Sequence, residues 1–268
     1  MSEPILFSVV DGLGRITLNR PARLNAFDEA TARSWERITA EAVARDDVGA
    51  ILLDAEGPSF CAGGDVLSMA AGGLSAAGIA ELAGVINRGI LSLTESSTPV
   101  VAAAQGTTAG GGLGILLASD YAIVGEDSRI GSLYANMGLT PDLSVTAHLG
   151  RAVGQRRALQ LVLQNRLLSA AEAVEWGLVA EAVAPDQVRA RAEAVARFWL
   201  AGATAAYGQA KRLVRAAPER TVVEQLEDEA RTIGAALETA EAQARVAAFA
   251  AASRTPRDSA QATKTAGR

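Results

Sequence analysis

Two short stretches of the chain combine glycine with placements suited to hydrogen-bond chemistry. Residues 99–118 read Pro-Val-Val-Ala-Ala-Ala-Gln-Gly-Thr-Thr-Ala-Gly-Gly-Gly-Leu-Gly-Ile-Leu-Leu-Ala, with Gly110, Gly111 and Gly112 between an apolar strand and an apolar helix. Glycine there lets a ligand approach the backbone without meeting a Cβ, and a helix N-terminus offers unpaired N–H groups to an anion. Close packing of strand on helix would ask for the same glycines. The anion is not a nucleotide phosphate by the usual patterns: no lysine follows for a P-loop, and Leu117 stands where a dinucleotide fingerprint requires glycine. An oxyanion developing on a carbonyl fits, provided a second N–H donor comes from elsewhere. The stretch Ser59-Phe60-Cys61-Ala62-Gly63-Gly64-Asp65 is that second candidate, with Asp65 placed to cap the helix after it.

The single cysteine, Cys61, excludes an intrachain disulfide and reads as a small packed group rather than a nucleophile. The single histidine, His148, excludes a multi-histidine metal site, and the chain lacks a nucleophile elbow for a Ser-His-Asp triad. No metal site is expected.

The elements that must position these turns alternate between strands and helices. Ile5–Val10 and Arg15–Leu18 read as paired strands, Asp28 as the cap of a helix to Ala44, and Ala50–Leu53 and Pro99–Gln105 as buried strands. Residues 70–78 read as mobile, Ile79–Leu93 as helix and Tyr121–Val124 as strand. Ser169-Ala170-Ala171-Glu172 is a capping box with Gly177 at the far end of the same helix, and from Ala184 onward the pattern is helical. From Val223 to Ala247 apolar residues alternate spacings of three and four, a seam that needs a packing partner, either this chain or another copy.

The chain has 268 residues, a net charge of −5 and 49% hydrophobic residues. That balance gives no footprint for nucleic acid, and no segment reads as long and apolar enough to span a membrane. Met1-Ser2-Glu3-Pro4 lacks the basic and apolar regions of a signal peptide, so a cytoplasmic protein is expected.

Taken together, the two glycine turns with Asp120 closing the second, Leu18-Asn19-Arg20-Pro21-Ala22-Arg23-Leu24-Asn25-Ala26, and Ala171-Glu172-Ala173-Val174-Glu175-Trp176-Gly177-Leu178-Val179 resemble the crotonase (enoyl-CoA hydratase/isomerase) superfamily. The resemblance runs from about residue 5 to about residue 255. It implies an α/β fold, a spiral of ββα turns (1–199) carrying the acyl-CoA site and an α-helical C-terminal trimerisation region (200–252), while the composition of 253–268 reads as a polar, disordered tail. It also implies a homotrimer or a dimer of trimers.

What the resemblance implies chemically is an acyl-CoA thioester whose carbonyl lies between the N–H groups of Gly64 and Gly111. Arg23, Leu24, Ala26, Ala62, Gly63, Asp65 and Gly110 would line the coenzyme and thioester, with Tyr134, Met137 and Leu139 around the acyl end. Coenzyme A would enter as part of the substrate, with no separate cofactor. The family's hydratases carry two glutamates, and this chain has Gly114 and Tyr134 in their places. Asp142, eight residues after Tyr134, matches the aspartate of epoxyphenylacetyl-CoA isomerase and 4-chlorobenzoyl-CoA dehalogenase members. The dehalogenase's histidine base is matched here by Asn87. The expectation is an enoyl-CoA double-bond isomerase with Asp142 as proton shuttle, although Asp142 also fits as the cap of a helix over 143–150. The other readings are a hydratase with a different base, a hydrolase or dehalogenase using Asp142, and a non-catalytic acyl-CoA binder.

Overall fold

The computed structural model describes residues 3–70 and 75–254. The chain divides into two compact units between Lys211 and Arg212. The first unit opens with an antiparallel hairpin of β1 (Ile5–Val10) and β2 (Leu13–Leu18), registered with Val10 opposite Leu13. Asp11 and Gly12 sit at φ +50° and +79°, the left-handed pair that a two-residue turn between twisted strands requires. Helix α1 (Glu29–Ala44) starts where Asp28 accepts the Thr31 amide, as its sequence indicates.

Three turns of one pattern follow. β3 (Ala50–Ala55) leads through a bridge at Cys61 to α2 (Val66–Ser68) and α3 (Ala76–Glu95). β4 (Val100–Ala104) and β5 (Thr107–Ala109) lead to α4 (Gly111–Leu117). β6 (Tyr121–Gly125) and β7 (Arg129–Gly131) lead to α5 (Val145–Val153) and α6 (Gln155–Gln164). Then come β8 (Leu167–Ser169), α7 (Ala170–Glu175), β9 (Glu181–Val183), α8 (Val188–Ala201) and α9 (Thr204–Ala216), which this unit holds through Lys211. In each turn the longer strand joins a six-stranded sheet ordered β1-β2-β3-β4-β6-β9, parallel from β2 onward. The short partner joins a second sheet, β5-β7-β8, and the Cys61–Thr108 bridge continues that layer. This is the expected spiral of ββα turns.

The parallel strands are apolar on both sides because both sides are covered. Ile51 and Leu53 face a core with Trp35, Ile90 and Leu113, while Ala50 and Leu52 face α8 through Val188, Ala192 and Ala196. α1 and α3 approach closely at Gly89, where a Cβ would lie 2.2 Å from Trp35 Nε1, and that indole donates to the Ile86 carbonyl. α3 corrects the membrane reading: over Ala76–Glu95 it is long and apolar enough to cross one, with an 18-residue window of mean hydropathy 1.3. Its buried face, Leu82, Val85, Ile86, Ile90 and Leu93, instead belongs to the core. The helix expected from Ile79 starts earlier, at Ala76, because Ser75 caps it at the Gly78 amide; of the stretch expected to be mobile, residues 71–74 lie outside the described residues.

The second unit holds α10 (Val222–Leu237) and α11 (Ala240–Arg254). Thr221 and Glu224 form a capping box at the start of α10, and Asp228 pairs with Arg212 and Arg220, each at 2.6 Å. The seam expected to run unbroken from Val223 to Ala247 is interrupted at Glu238 and Thr239, where Thr239 Oγ1 accepts the Ala242 amide and starts a new helix. Residues 253 and 254 still belong to α11, and the rest of the expected tail lies outside the described residues.

The division after Lys211 falls later than the sequence boundary at 199/200, and the reason is local. Lys211 is buried, donates to the carbonyls of Leu93 and Thr98 at 2.7 Å each, and pairs with Asp120 at 3.0 Å. It therefore ties α9 to the end of α3 and the start of β4. Lys211→Met removes the ammonium from two carbonyls and from Asp120, which keeps the Val100 amide, so stability should fall by about 3–5 kcal/mol. Urea unfolding reads this, and a loss within experimental error would show that the ammonium holds nothing.

Candidate active site

The site is assembled by side chains that fasten one loop to another. Asn25 is buried, at φ +56° after Leu24 at +49°. Its Oδ1 accepts the Arg20 amide, its Nδ2 donates to the carbonyls of Glu56 (2.9 Å) and Ser59 (2.8 Å), and its own carbonyl accepts the Cys61 thiol. Burial pushes that thiol up to about 12, so Cys61 is a packed neutral group at neutral pH. Phe27 continues the seam, donating to the Gly63 carbonyl and accepting the Asp65 amide. In a parallel bridge those two flanking groups are the ones consumed, so the amide of Gly64 points away from Phe27.

The turn after β5 meets this loop directly. Ala109 donates to the Cys61 carbonyl at 3.0 Å, and α4 begins one residue past Gly110 (φ +53°). A Cβ on Gly63 would lie 2.9 Å from the Gly111 nitrogen, and one on Gly112 would lie 2.1 Å from the Cys61 oxygen. Among the described residues the amides of Gly64 and Gly111 meet no acceptor. Two such donors held side by side suit an oxygen that gains negative charge during reaction.

The third component is the segment 142–144. Leu143 and Ser144 take left-handed φ values of +48° and +68°, a conformation that costs non-glycine residues about 1–3 kcal/mol each. This bend lays Leu143 on α4. Its Cδ1 is 2.6 Å from where a Gly111 Cβ would stand, and its carbonyl oxygen is 1.9 Å from the Gly114 position. The helix that follows starts at Val145, with Ser144 ahead of it and no side-chain cap. The reading of Asp142 as a side-chain cap is therefore corrected: only its carbonyl serves the helix, by accepting the Val145 amide. The carboxylate instead accepts the Tyr134 hydroxyl, Oη to Oδ1 at 2.5 Å. Burial raises the Asp142 pKa above the usual carboxylate value, against the opposing effect of the Tyr134 hydrogen bond. Burial and the neighbouring Asp142 charge push the Tyr134 phenol well above its ordinary value.

The remaining expected residues divide into two groups. Ala62 and Asp65 lie in the loop at Gly64; the Ala62 amide donates to the Leu24 carbonyl, and Asp65 accepts the Ser68 amide as expected for a cap. Arg23 is exposed and pairs with Asp65 at 3.1 Å, alongside Arg20, which also pairs with Asp28 at 2.7 Å. Burial works against the Asp65 charge, but the Ser68 amide and the two arginines outweigh it and hold its pKa below the usual value. Leu24 is exposed, and Ala26 is buried with its carbonyl held by Arg20. Met137 and Leu139 lie on the turn between Tyr134 and Asp142, 47% and 46% exposed. A cleft of about 280 Å³ opens beside Asp65, lined by Phe27, Ser68, Met69 and Leu82 among others, with Met69 Cε 2.7 Å from the Gly64 Cβ position. Among the described residues no cluster of three or more histidine, cysteine or carboxylate side chains could hold a metal.

Asn25, Arg20, Met69 and Leu143 carry positioning roles that the sequence reading did not assign. Asn25 lies within the stretch Leu18–Ala26 that carries the family resemblance, whereas nothing in the types Leu143-Ser144 signals two consecutive left-handed residues.

The sequence profile of the family described as enoyl-CoA hydratase/isomerase matches residues 9–256. A protein of Rhizobium meliloti (strain 1021) named "Probable enoyl-CoA hydratase" is 32% identical over 253 residues, 93% of this chain and 95% of that protein. The 1,2-epoxyphenylacetyl-CoA isomerase of Escherichia coli (strain K12) is 32% identical over 234 residues, 85% of this chain and 87% of the other. The crystal structure of an enoyl-CoA hydratase of Mycobacterium smegmatis superposes with a TM-score of 0.87 at 27% identity, covering 92% of this chain and 95% of that one.

The contact of Leu143 on α4 can be tested without a substrate. Gly114→Ala places a methyl group against a carbonyl oxygen, so segment 142–144 must shift at a cost of about 1–3 kcal/mol. The melting temperature should fall, and the Tyr134 phenol, separated from Asp142, should titrate lower by ultraviolet difference spectroscopy. An unchanged titration would mean that Asp142 is not positioned by this contact.

Proposed function

The chain belongs to the enoyl-CoA hydratase/isomerase family, and we propose that within it the protein is an enoyl-CoA double-bond isomerase with Asp142 as its proton shuttle. The family acts on acyl-CoA thioesters. In this reading the thioester oxygen sits between the Gly64 and Gly111 amides. Asp142 removes a proton from one carbon of the acyl chain, the amides hold the resulting dienolate, and the same carboxyl returns the proton to another carbon. No electrons leave and no group is transferred, so coenzyme A carried by the substrate is the only cofactor the scheme needs. Each amide contributes about 3–4 kcal/mol to the transition state, as such donors typically do.

The observation that carries the proposal is the carboxylate inventory around α4. Asp142 is next to the residue that touches Gly111, and its side chain is not spent on a cap. The two positions where the family's hydratases place glutamates hold Gly114 and Tyr134. Gly114 has no room for any side chain beneath the Leu143 carbonyl. A raised Asp142 pKa also suits a group that must both take and return a proton.

We further propose that the protein assembles as a homotrimer or a pair of trimers through its C-terminal helices. Val222, Val223, Leu226, Ile233 and Leu237 of α10 are all exposed large apolar residues, and apolar surface of this kind favours a partner. Ile233→Asp would bury an unpaired charge in such a contact and should lower the assembly state in sedimentation velocity. A wild type that sediments as a monomer at micromolar concentration would refute the assembly.

Activity is tested by incubating the protein with 3-enoyl-, 2-enoyl- and arylacetyl-CoA thioesters in D₂O, read by mass spectrometry. Isomerisation predicts deuterium exchange without addition of water; addition of water to the 2-enoyl thioester would establish a hydratase instead. Asp142→Asn should lower kcat by about two to four powers of ten, with little change in affinity for a non-reactive acyl-CoA. Its effect on stability has a definite sign. The folded pKa of Asp142 lies above its unfolded value, so the protonated form stabilises the fold in acid and that contribution is lost as pH rises. Asp142→Asn should thus be more stable than wild type near neutral pH, with the difference shrinking in acid. Near-wild-type turnover by this variant would remove Asp142 from the chemistry.

A further inference from the structure

We infer that Tyr134 is a positioning residue for Asp142, its phenol fixing the carboxylate at Oδ1 so that Oδ2 is the single oxygen that exchanges a proton with substrate. The inference rests on the isomerase reading for its purpose, but its geometry is independent of it. Tyr134 is almost wholly buried, and its hydroxyl donates to Asp142 Oδ1 at 2.5 Å, a short bond of the charge-assisted class. Among the described residues no other side chain donates to this carboxylate.

Both partners stand where the backbone is held in the left-handed region. Leu133, at φ +50°, delivers Tyr134 into its short helical turn, and Leu143 and Ser144 follow Asp142 at +48° and +68°. The intervening residues close on themselves, with Gly138 at φ +67° and the Leu139 amide bonded to the Tyr134 carbonyl. The hydroxyl-to-carboxylate bond thus joins the two ends of a strained turn, and Leu143 seats that turn on α4 beside Gly111. A carboxylate free to rotate on an exposed loop would present either oxygen in several directions. One tied at Oδ1 presents only the other.

The groups that act on the pair are few. Asp142 responds to Tyr134 and to its own amide, while Tyr134 responds to Asp142 and to the Cys61 thiol from the loop after β3. α5, which Asp142 leads into, carries His148 and Arg151. Burial raises the Asp142 pKa, and the Tyr134 hydrogen bond opposes that rise, so removing the phenol should raise it further.

The test is Tyr134→Phe, which removes one oxygen from a buried ring and leaves the packing in place. In protein labelled with ¹³C at aspartate carboxyls, the resonance assigned by its loss in Asp142→Asn should titrate about one pH unit higher in Tyr134→Phe than in wild type. With a 3-enoyl-CoA thioester as substrate, the acid limb of kcat/KM should move up by the same amount. That is about a tenfold loss on the acid side of the limb, with KM within about twofold. As a second probe, the Tyr134 phenol should titrate markedly lower in Asp142→Asn than in wild type. A tyrosine that only fills space would move neither titration, and two unmoved titrations overturn the inference. A rise in KM with an unmoved acid limb would also overturn it, making Tyr134 a substrate contact. If Asp142→Asn stays active while Tyr134→Phe still raises the Asp142 titration, the pairing stands and the shuttle reading falls. If Asp142→Asn is dead and the acid limb does not move, the shuttle stands and the pairing falls.

Discussion

Backbone lies against backbone, with no side chain between, wherever the site is built. The Cys61 carbonyl meets Gly112, the Pro58 carbonyl lies 1.9 Å from where a Gly106 Cβ would stand, and the Leu143 carbonyl does the same at Gly114. Three consecutive layers, the loop after β3, the turn into α4 and segment 142–144, are thereby stacked at a separation that any Cβ would prevent. Everything chemical in the proposed site follows from that spacing. Because Gly63 nearly touches the Gly111 nitrogen, the amides of Gly64 and Gly111 become neighbours although they come from different turns of the spiral. Because Leu143 rests on α4, segment 142–144 from a third turn is seated against Gly111 and Gly114.

Such spacing holds only if the loops are kept from relaxing apart. Hydrogen bonds perform that task, through Asn25 at one end and the Cys61–Ala109 and Cys61–Thr107 pairs in the middle. Charge adds a second fastening, since Asp65 binds two arginines of the 20–23 segment while its side chain also starts α2. Local strain at Leu133, Leu143 and Ser144 is the counterpart of this rigidity. Such backbone persists where the surroundings over-determine it, and here they do so on both sides of the Tyr134–Asp142 bond.

The sequence is legible where local chemistry decides the structure. Asp28, Asp65 and Ser169 cap helices as their types and spacing indicate, and uninterrupted apolar runs become parallel strands covered on both faces. It is less legible where tertiary contacts decide. Leu143 and Ser144 are poor left-handed residues by type, so only the packing of Leu143 on α4 explains their bend, and Asp142 thereby loses the cap its spacing suggested. The C-terminal seam has helical periodicity throughout, yet Thr239 restarts the helix by taking the Ala242 amide. Lys211 shows the same limit: a lone lysine in a helical pattern gives no sign that it will be buried against the end of α3.

A single carboxylate constrains the chemistry more than its identity does. Adding water across a double bond requires one group to take a proton from the water while a proton reaches a different carbon. The family's hydratases divide that work between two glutamates, and the places of both are taken here, one by a glycine under a carbonyl and the other by a tyrosine. In the proposed double-bond shift the same group first accepts a proton and then returns it two carbons along the chain. One carboxylate suffices, provided it is poised between its two states. Burial pushes Asp142 toward the protonated form and Tyr134 pulls it toward the ionised one. The balance between burial and one hydroxyl is what the proposed shuttle would need and what a permanently charged residue on an open surface would lack.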